Sequence, residues 1–200
     1  MPRTAQQYEA LRNASRDVVL TCAVRVFAQR GYAAASMRDI AREAGLSVGL
    51  IYRHYPTKDE LFADVLDRAV TGLDEAAREL TSADDGYAVL CRFIERYLAG
   101  IAADDGAAEF SMVLNQAFLS DEPAGARTGL LAGHRRFRRG LETAISRAQR
   151  DGHCAAGEAE AVAAVLLSLL SGAVTMRMAL GAAAVPRPGT VVHMLDGGAR

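Results

Sequence analysis

Hydrophobic positions recur at the spacing of an α-helix along most of the chain. The first clear stripe occupies positions i, i+3, i+4, i+7 and i+8 and consists of Val19, Cys22, Ala23, Val26 and Phe27. Such a stripe is typical of a helix that buries one face. We find no stretch with the alternating period of a half-buried β-strand. The pattern therefore predicts an all-α protein.

Helix-capping residues divide the segment after this stripe into short helices. Gly31 ends the first stripe, and Ser36 followed by Asp39 has the spacing of an N-cap with an acidic partner. Gly45 has the position of a left-handed helix end. These signals predict a short helix between Ser36 and Gly45.

A second set of signals follows at once. Ser47 caps another short helix, and Pro56 stops it. Thr57 and Glu60 then form a second capping pair at the start of a long helix. The sequence thus predicts two short helices joined by a tight turn at Gly45, followed by a long helix.

The remainder of the chain is also helical in pattern. Apolar stripes occupy residues 87–101, 110–118, 130–148 and 158–180, and a short helix follows Pro188. The Asp- and Gly-rich stretches between them, 81–86, 103–106 and 120–125, have the length of ordinary connections. This part of the chain is predicted to form a helical bundle.

Charge is divided unevenly between the two parts. Residues 1–58 carry eight Arg and one Lys against four acidic residues, or +5, whereas residues 59–200 carry fourteen Arg against twenty acidic residues, or −6. A basic N-terminal part suggests an anionic partner. The single lysine of the chain, Lys58, lies at the end of this basic part.

Other features of the composition exclude several classes. The three cysteines are far apart and form no C-x-x-C pair, so neither a disulfide framework nor a zinc ribbon is indicated. The N-terminus lacks the apolar run of a signal peptide. The apolar run from Ala161 is interrupted by Arg177 before it reaches the length of a membrane span. We expect a soluble cytoplasmic protein without membrane contact.

Two short helices with a tight turn between them are a helix-turn-helix. In this motif the second helix enters the major groove of DNA with its N-terminal residues foremost. Gly49 would let that end approach DNA closely. Tyr52, Arg53 and His54 come one turn later, within reach of backbone phosphates.

The same region resembles the TetR family of bacterial transcriptional regulators. The matching pieces are Phe27–Tyr32, Ser36–Ala41, Ala44–Ser47, Tyr52–Tyr55 and Lys58. The resemblance covers about residues 15–62. It implies an N-terminal three-helix DNA-binding domain and a C-terminal helical domain that dimerises and often binds a small effector. The domains expected are an N-terminal, flexible arm (1–14), the helix-turn-helix domain (15–56), and the ligand-binding and dimerisation domain (57–200).

The resemblance also assigns residues to the DNA interface. It implies phosphate contacts at Ser36, Tyr52, His54 and Lys58, and places Val48, Gly49 and Leu50 where bases are contacted; Ser47 belongs to the same predicted surface. Leu50 departs from the frequent threonine, so that apolar contact with thymine methyl groups is what remains to it and to Val48. For Arg53, bidentate contact with guanine and contact with a phosphate both stay open.

Several polar residues lie on apolar faces of the C-terminal helices. His134, Arg177 and Asn115 must each find a polar partner or a ligand there. One interpretation is that each is a structural group whose polar atoms find partners within the protein. The other is an effector pocket with few polar groups among apolar walls. The predicted ligand-binding residues are Cys91, Ile94, Tyr97, Met112, Asn115, His134, Phe137 and Arg177. The sequence does not identify the effector.

The helix predicted from Glu158 to Leu180 is apolar on two sides. One side can face its own domain, and the other would be buried against the same helix of a second copy. The short helix after Pro188 could complete a four-helix bundle with its mate. The predicted interface residues of this homodimer are Leu167, Val174, Met178, Val191 and Leu195.

The surrounding sequence argues against the enzymatic alternatives. Residues 45–49 match G-x-S-x-G, but a nucleophile elbow needs a strand before its serine. His153 and Cys154 have no second pair at metal-ligand spacing, and a ferritin-like site lacks its E-x-x-H ligands. We therefore expect no enzyme, cofactor or metal site.

Two functions remain from the sequence. The first is a homodimeric, sequence-specific DNA-binding regulator, a repressor released from double-stranded DNA at a palindromic operator by a small-molecule effector. The second is a helical small-molecule-binding protein that does not bind DNA sequence-specifically.

Overall fold

A computed structural model describes residues 5–82 and 84–196. The described residues contain helices and connections and no β-strand. The helices are α1 (Ala5–Ala34), α2 (Met37–Ala44), α3 (Val48–His54), α4 (Lys58–Ser82), α5 (Gly86–Ala102), α6 (Ala107–Leu119), α7 (Ala126–Arg150), α8 (Ala159–Leu180) and α9 (Pro188–Leu195). A short 3-10 turn, Ala182–Ala184, connects α8 and α9. The all-α prediction is confirmed.

The short helices begin and end at their predicted caps. The backbone N–H of Asp39 donates to Ser36 Oγ (3.2 Å), and the N–H of Ser36 donates to Asp39 Oδ2 (3.2 Å). Gly45 adopts a left-handed conformation (φ 64°) that few other residues tolerate. At the start of α4, the N–H of Glu60 donates to Thr57 Oγ1 (3.1 Å).

The N-terminal boundary differs from the prediction. Helix α1 begins at Ala5, so residues 5–14, expected as an arm, belong to α1, and residues 1–4 lie outside the described part. The segment is rich in Ala, Gln, Glu and Leu, which favour helix even without an apolar stripe. At its other end α1 is broken at Gly31 (φ 73°, ψ 164°), where the hydrophobic stripe stops.

The N-terminal core joins the first three helices to α4 and α6. Phe27, Ile40 and Ile51 are completely buried in it. Val113 and Ala117 of α6 belong to the same core. The C-terminal part of the chain is therefore packed on the N-terminal domain, with α6 against α1, across the predicted boundary at residue 56.

The second core lies among α4, α5, α7, α8 and α9. Two glycines allow the close approach of its helices. A Cβ atom at Gly86 would lie 2.4 Å from the carbonyl oxygen of Ala144, and one at Gly140 would lie 3.1 Å from that of Ala77. Close packing at these points fixes the positions of α5 and α7, which line the cavity described below.

Candidate DNA interface and ligand cavity

The predicted recognition helix, α3, is held by one face and exposed on the other. Ile51 is completely buried against α1 and α2, whereas Gly49, Tyr52 and Arg53 are exposed. Ser47 Oγ accepts the N–H of Leu50 (3.2 Å) and leaves its own hydroxyl proton available. Helix α3 therefore presents its N-terminal turn and one polar face to the outside.

A buried tyrosine fixes the end of α3. The Tyr55 hydroxyl donates to Asp64 Oδ2 (2.5 Å), and Arg16 donates to both Tyr55 Oη and Asp64 Oδ2 (2.9 Å each). Burial, and then the hydrogen bond to Asp64, raise the pKa of Tyr55 to about 12. This network ties α3 to α1 and α4, so α3 cannot turn independently of either helix.

Two arginines on this surface have no partner among the described residues. Arg53 on α3 and Arg38 on α2 are exposed and make neither a hydrogen bond nor an ion pair there. Arg42, in contrast, pairs with Asp39 (3.0 Å). Arg38 was not among the residues predicted from the sequence; its position in the first turn of a capped helix, off the apolar stripe, was the available signal. Unpaired guanidinium groups are available to phosphates and to guanine edges.

Three of the predicted phosphate-contacting residues already have partners inside the protein. The Lys58 ammonium donates to the carbonyls of Tyr32 (2.8 Å) and Ala35 (3.0 Å) and lies 4.2 Å from the centre of the Tyr32 ring. The Ser36 hydroxyl is 2.6 Å from Asp39 Oδ2. His54 Nε2 is 2.8 Å from the hydroxyl of Ser15. These contacts hold residues 32–36 and the C-terminal end of α3 in place. The contacts of Lys58, Ser36 and His54 with DNA phosphates stay predictions.

The predicted base-contacting residues are not equivalent. Val48 and Leu50 are both half-buried, and Val48 packs against the N-terminal core. A Cβ atom at Gly49 would meet nothing within 4 Å. Gly49 is thus the most open point of the N-terminal turn of α3, while Val48 also serves the packing of the domain.

A cavity of about 260 Å³ lies at the centre of the C-terminal domain, between α4, α5, α6, α7 and α8. Rings line much of it in an unbroken series. Centroid distances are 6.0 Å from Tyr97 to Phe93, 5.4 Å from Phe93 to Phe137, 6.4 Å from Phe137 to His134, and 5.0 Å from His134 to Phe118. We call this series the aromatic arc.

No lining residue of this cavity carries a fixed charge. The polar side chains are Ser111, Asn115, His134 and Ser171, and the Tyr97 hydroxyl joins them. Burial, and secondarily the positive charge of Arg138, lower the pKa of His134, which keeps its ring neutral at pH 7. A cavity of this kind orients a ligand through a few hydrogen bonds among apolar contacts.

An outer chamber of about 490 Å³ continues the cavity between α4, α5 and α6. Gly72, Phe93 and Tyr97 line both spaces. The outer chamber adds charged residues. Glu79 pairs with Arg96 (2.6 Å), while Glu75 is exposed and has no partner among the described residues.

Four predicted ligand-binding residues, Tyr97, Asn115, His134 and Phe137, line the cavity, and four do not. Ile94 is completely buried in the second core, and Met112 packs between helices. Cys91 lies beside Tyr87, and Arg177 pairs with Asp104 (3.4 Å). Ile94, Met112, Cys91 and Arg177 share apolar stripes with true lining residues, but each faces a neighbouring helix or solvent.

Three residues of the predicted dimer interface, Val174, Val191 and Leu195, are instead buried within the chain's own cores. Leu167 lines the cavity and Met178 is half-buried, and contact of these two residues with a second copy stays a prediction. These side chains form the inner stripes of α8 and α9, which explains why their hydrophobicity suggested an interface.

A different stripe of α8 is exposed. It consists of Val165, Ser168, Gly172, Met176 and Leu180, and Leu180 is 71% exposed. Met194 of α9 is 63% exposed beyond it. We call this set of six residues the outer stripe.

Helix α8 is long and apolar enough to cross a membrane, a property that core helices of soluble proteins share.

Metal and disulfide chemistry find no support in the described part of the chain. Residues 5–82 and 84–196 contain no group of three or more His, Cys, Asp or Glu side chains that could hold a metal ion. All three cysteines are free, and Cys22 and Cys154 are buried.

Two family models match the chain. The model of bacterial regulatory proteins of the tetR family matches residues 19–65. The model of the AefR-like transcriptional repressor C-terminal domain matches residues 88–199. The first covers the helix-turn-helix and the start of α4, and the second covers the helices from α5 to α9.

Curated relatives match over about a third of the chain. The HTH-type transcriptional repressor Rv3405c of Mycobacterium tuberculosis is 42% identical over 66 residues, which are 33% of this chain and 35% of that protein. The HTH-type transcriptional activator FasR of Mycolicibacterium smegmatis is 41% identical over 68 residues, 34% of this chain and 31% of that protein. The match thus spans about a third of each relative.

Solved structures share the whole fold. A TetR-family regulator from Agrobacterium tumefaciens has a TM-score of 0.72 at 21% identity, covering 92% of this chain and 99% of that one. A regulator from Saccharomonospora viridis, solved in complex with choline, has a TM-score of 0.66 at 22% identity, covering 91% and 93%. At these identities the similarity establishes the fold.

Proposed function

The chain belongs to the TetR family of bacterial regulatory proteins, and from that premise we propose that it is a dimeric repressor that leaves a palindromic operator when a small molecule fills its cavity. The observation that carries the proposal is α3, an exposed and rigidly anchored recognition helix in a basic N-terminal part (residues 1–58, charge +5), with Arg53 unpaired among the described residues. A protein that only bound small molecules would have no use for this surface.

Recognition of DNA would combine two kinds of contact. Arg38, Arg53, Tyr52 and the hydroxyl of Ser47 supply donors for phosphates, which position the protein but carry little sequence information. Sequence would be distinguished by Val48, Gly49 and Leu50 at base edges, and by Arg53 if it contacts guanine in bidentate fashion. A two-fold dimer would present two copies of α3 to successive major grooves, about 34 Å apart or farther.

The outer stripe is the surface best suited to form this dimer. Its apolar members, Val165, Met176 and Leu180, flank Ser168 and Gly172, whose small size lets two copies of α8 approach closely. A two-fold axis through Gly172 would make the contact self-complementary. Obligate interfaces bury about 2,000 Å² or more in total, and α8 with α9 of each copy offers the length for this.

Two helices connect the cavity with the DNA-binding domain. Helix α4 begins at the Lys58 contact with α1 and lines the cavity with Gly72 and Ala76. Helix α6 lines the cavity with Asn115, and the Gln116 side chain donates to the carbonyl of Ala28 in α1 (3.0 Å). An effector that prefers a different tilt of these helices would change the separation of the two recognition helices and release DNA.

Selection of bound sequences from random duplex DNA by the purified protein tests the proposal. We expect enrichment of an inverted repeat, and salt-sensitive binding of that repeat by a dimer. Failure to enrich any sequence, with the protein folded, would favour the second function, small-molecule binding alone.

The dimer is tested by Gly172→Glu, which places a charge at the centre of the outer stripe. This variant should be monomeric by light scattering and should lose operator binding. Arg187→Glu, an exposed charge change near α9, serves as the control and should remain dimeric. A wild-type monomer that binds the repeat tightly would refute the dimeric scheme.

A further inference from the structure

The aromatic arc forms much of the wall of a cavity that has few polar side chains. Ring faces carry partial negative charge and attract cations, most strongly where water is excluded. The arc includes Phe93 and Tyr97, which line the inner cavity and the outer chamber alike. A positive group where the two spaces meet would therefore lie beside these two aromatic rings.

Charge differs between the two spaces. Near the cavity, Arg138 lies one helical turn from His134, but it is paired with Glu142 (2.9 Å) and with Glu160. In the outer chamber, Glu79 pairs with Arg96 (2.6 Å), whereas Glu75 has no partner among the described residues. The Glu75 carboxylate thus favours a ligand whose positive end lies in the outer chamber.

The inner cavity gives no support to an anion. Its walls contain no Lys or Arg, and the pKa of His134 is lowered, so this ring carries no charge near pH 7. A carboxylate there would keep only hydroxyl and amide donors, such as Ser111 and Asn115, in exchange for its hydration shell. Burial of a charge without a partner costs several kcal/mol.

We propose that the effector is a lipophilic organic cation, an ammonium head joined to an apolar, ring-bearing body. The head lies against Tyr97 and Phe93, close to Glu75, and the body fills the inner cavity beside Phe118 and His134. This proposal rests on the function proposed above, because it names the chemical class of the effector.

Binding is measured by calorimetry on the dimeric protein without DNA, using three probes with similar bodies. They are (4-phenylbutyl)trimethylammonium, 4-phenylbutan-1-ol and 5-phenylpentanoate. We expect the ammonium compound to bind about tenfold more tightly than the alcohol, and the carboxylate to bind most weakly. Equal or tighter binding of the alcohol or carboxylate, or no binding of any probe, would overturn the proposal.

Variants locate the cationic head. Glu75→Gln should weaken the ammonium compound about threefold to tenfold and leave the alcohol unchanged. Glu95→Gln removes the same charge from an exposed position of α5 outside both spaces and should change neither probe. Tyr97→Leu should weaken the ammonium compound more than the alcohol. Equal losses for both probes in Glu75→Gln would refute the placement of the head.

A separate measurement distinguishes this proposal from the regulatory one. The ammonium compound is added to the protein bound to its selected operator, and release is followed by anisotropy. Release supports both proposals. Tight binding of the ammonium compound without release leaves the ligand class intact and refutes its role as effector.

Discussion

The DNA-binding surface and the ligand cavity are built in opposite ways. The surface is assembled from neighbours in sequence, residues 36–58, and its working groups are exposed and partly unpaired. The cavity takes its lining from five helices, between Ala69 and Ser171, and contains no fixed charge. Local capping determines the first site, whereas helix packing determines the second.

This difference predicts different responses to mutation. Exposed cations such as Arg53 contribute little to folding, so their loss should affect DNA binding alone. Glycines at helix contacts, such as Gly86, touch no ligand, yet they set the positions of the helices that do. Function and stability should therefore separate cleanly at the DNA surface and stay coupled around the cavity.

The largest effect is expected from Arg53→Ala. Operator affinity should fall by about 1–3 kcal/mol for each half-site, so a dimer loses up to twice this amount. Thermal unfolding and probe binding in the cavity should stay unchanged. Anisotropy titrations at one fixed salt concentration measure the loss. Arg92→Ala, an exposed arginine of α5, is the control; an equal loss there would mean that general charge, and not α3, attracts the DNA.

The same substitution at two glycines gives the sharpest comparison. Gly86→Ala would place a methyl group 2.4 Å from the Ala144 carbonyl oxygen and should destabilise the protein by about 1–3 kcal/mol. Gly49→Ala meets nothing within 4 Å and should keep or raise stability, since alanine favours helix by up to about 1 kcal/mol, while weakening DNA binding. Urea unfolding and operator titration measure both. Equal stability of the two variants would contradict the close packing of α5 on α7.

Lys58→Met decides between two roles of the only lysine. Its hydrogen bonds to the carbonyls of Tyr32 and Ala35 predict a loss of stability of about 1–2 kcal/mol and little change in the salt dependence of DNA binding. A phosphate contact would instead flatten the slope of log K against log salt by about 0.9 per copy. A flatter slope at unchanged stability would restore the phosphate contact.

The smallest effect concerns His134 and pH. The lowered pKa of His134 means that the unfolded chain binds a proton at a higher pH than the folded one. Stability from this residue is therefore complete above about pH 6.5, the ordinary histidine pKa, and is lost as pH falls below it. His134→Asn should reduce the change in urea midpoint between pH 7.5 and pH 5.5. The exposed His153→Asn should not, and an equal response of both variants would argue against a neutral His134.

The sequence by itself determined the helices and the DNA-binding motif. Capping residues such as Ser36, Gly45 and Ser47 act on backbone groups within a few residues, so their effect can be predicted without knowledge of the fold. Helical periodicity likewise identified the buried face of α1. The predicted contact of Lys58 with DNA stays a prediction. Its hydrogen bonds to the carbonyls of Tyr32 and Ala35 could not be predicted from the sequence, because only the folded corner of α1 brings these acceptors to its ammonium group.

The tertiary structure alone decided which apolar faces meet. Periodicity gave α8 two apolar sides but could not tell the inner stripe of Val174 from the exposed outer stripe of Met176. Periodicity also placed Ile94 and Tyr97, which are about one helical turn apart, on the same face of α5. In the structure Ile94 is buried in the second core, whereas Tyr97 lines the cavity. Hydrophobicity has no direction, so a sequence shows that a face is buried, whereas the partner that buries it depends on how distant helices pack.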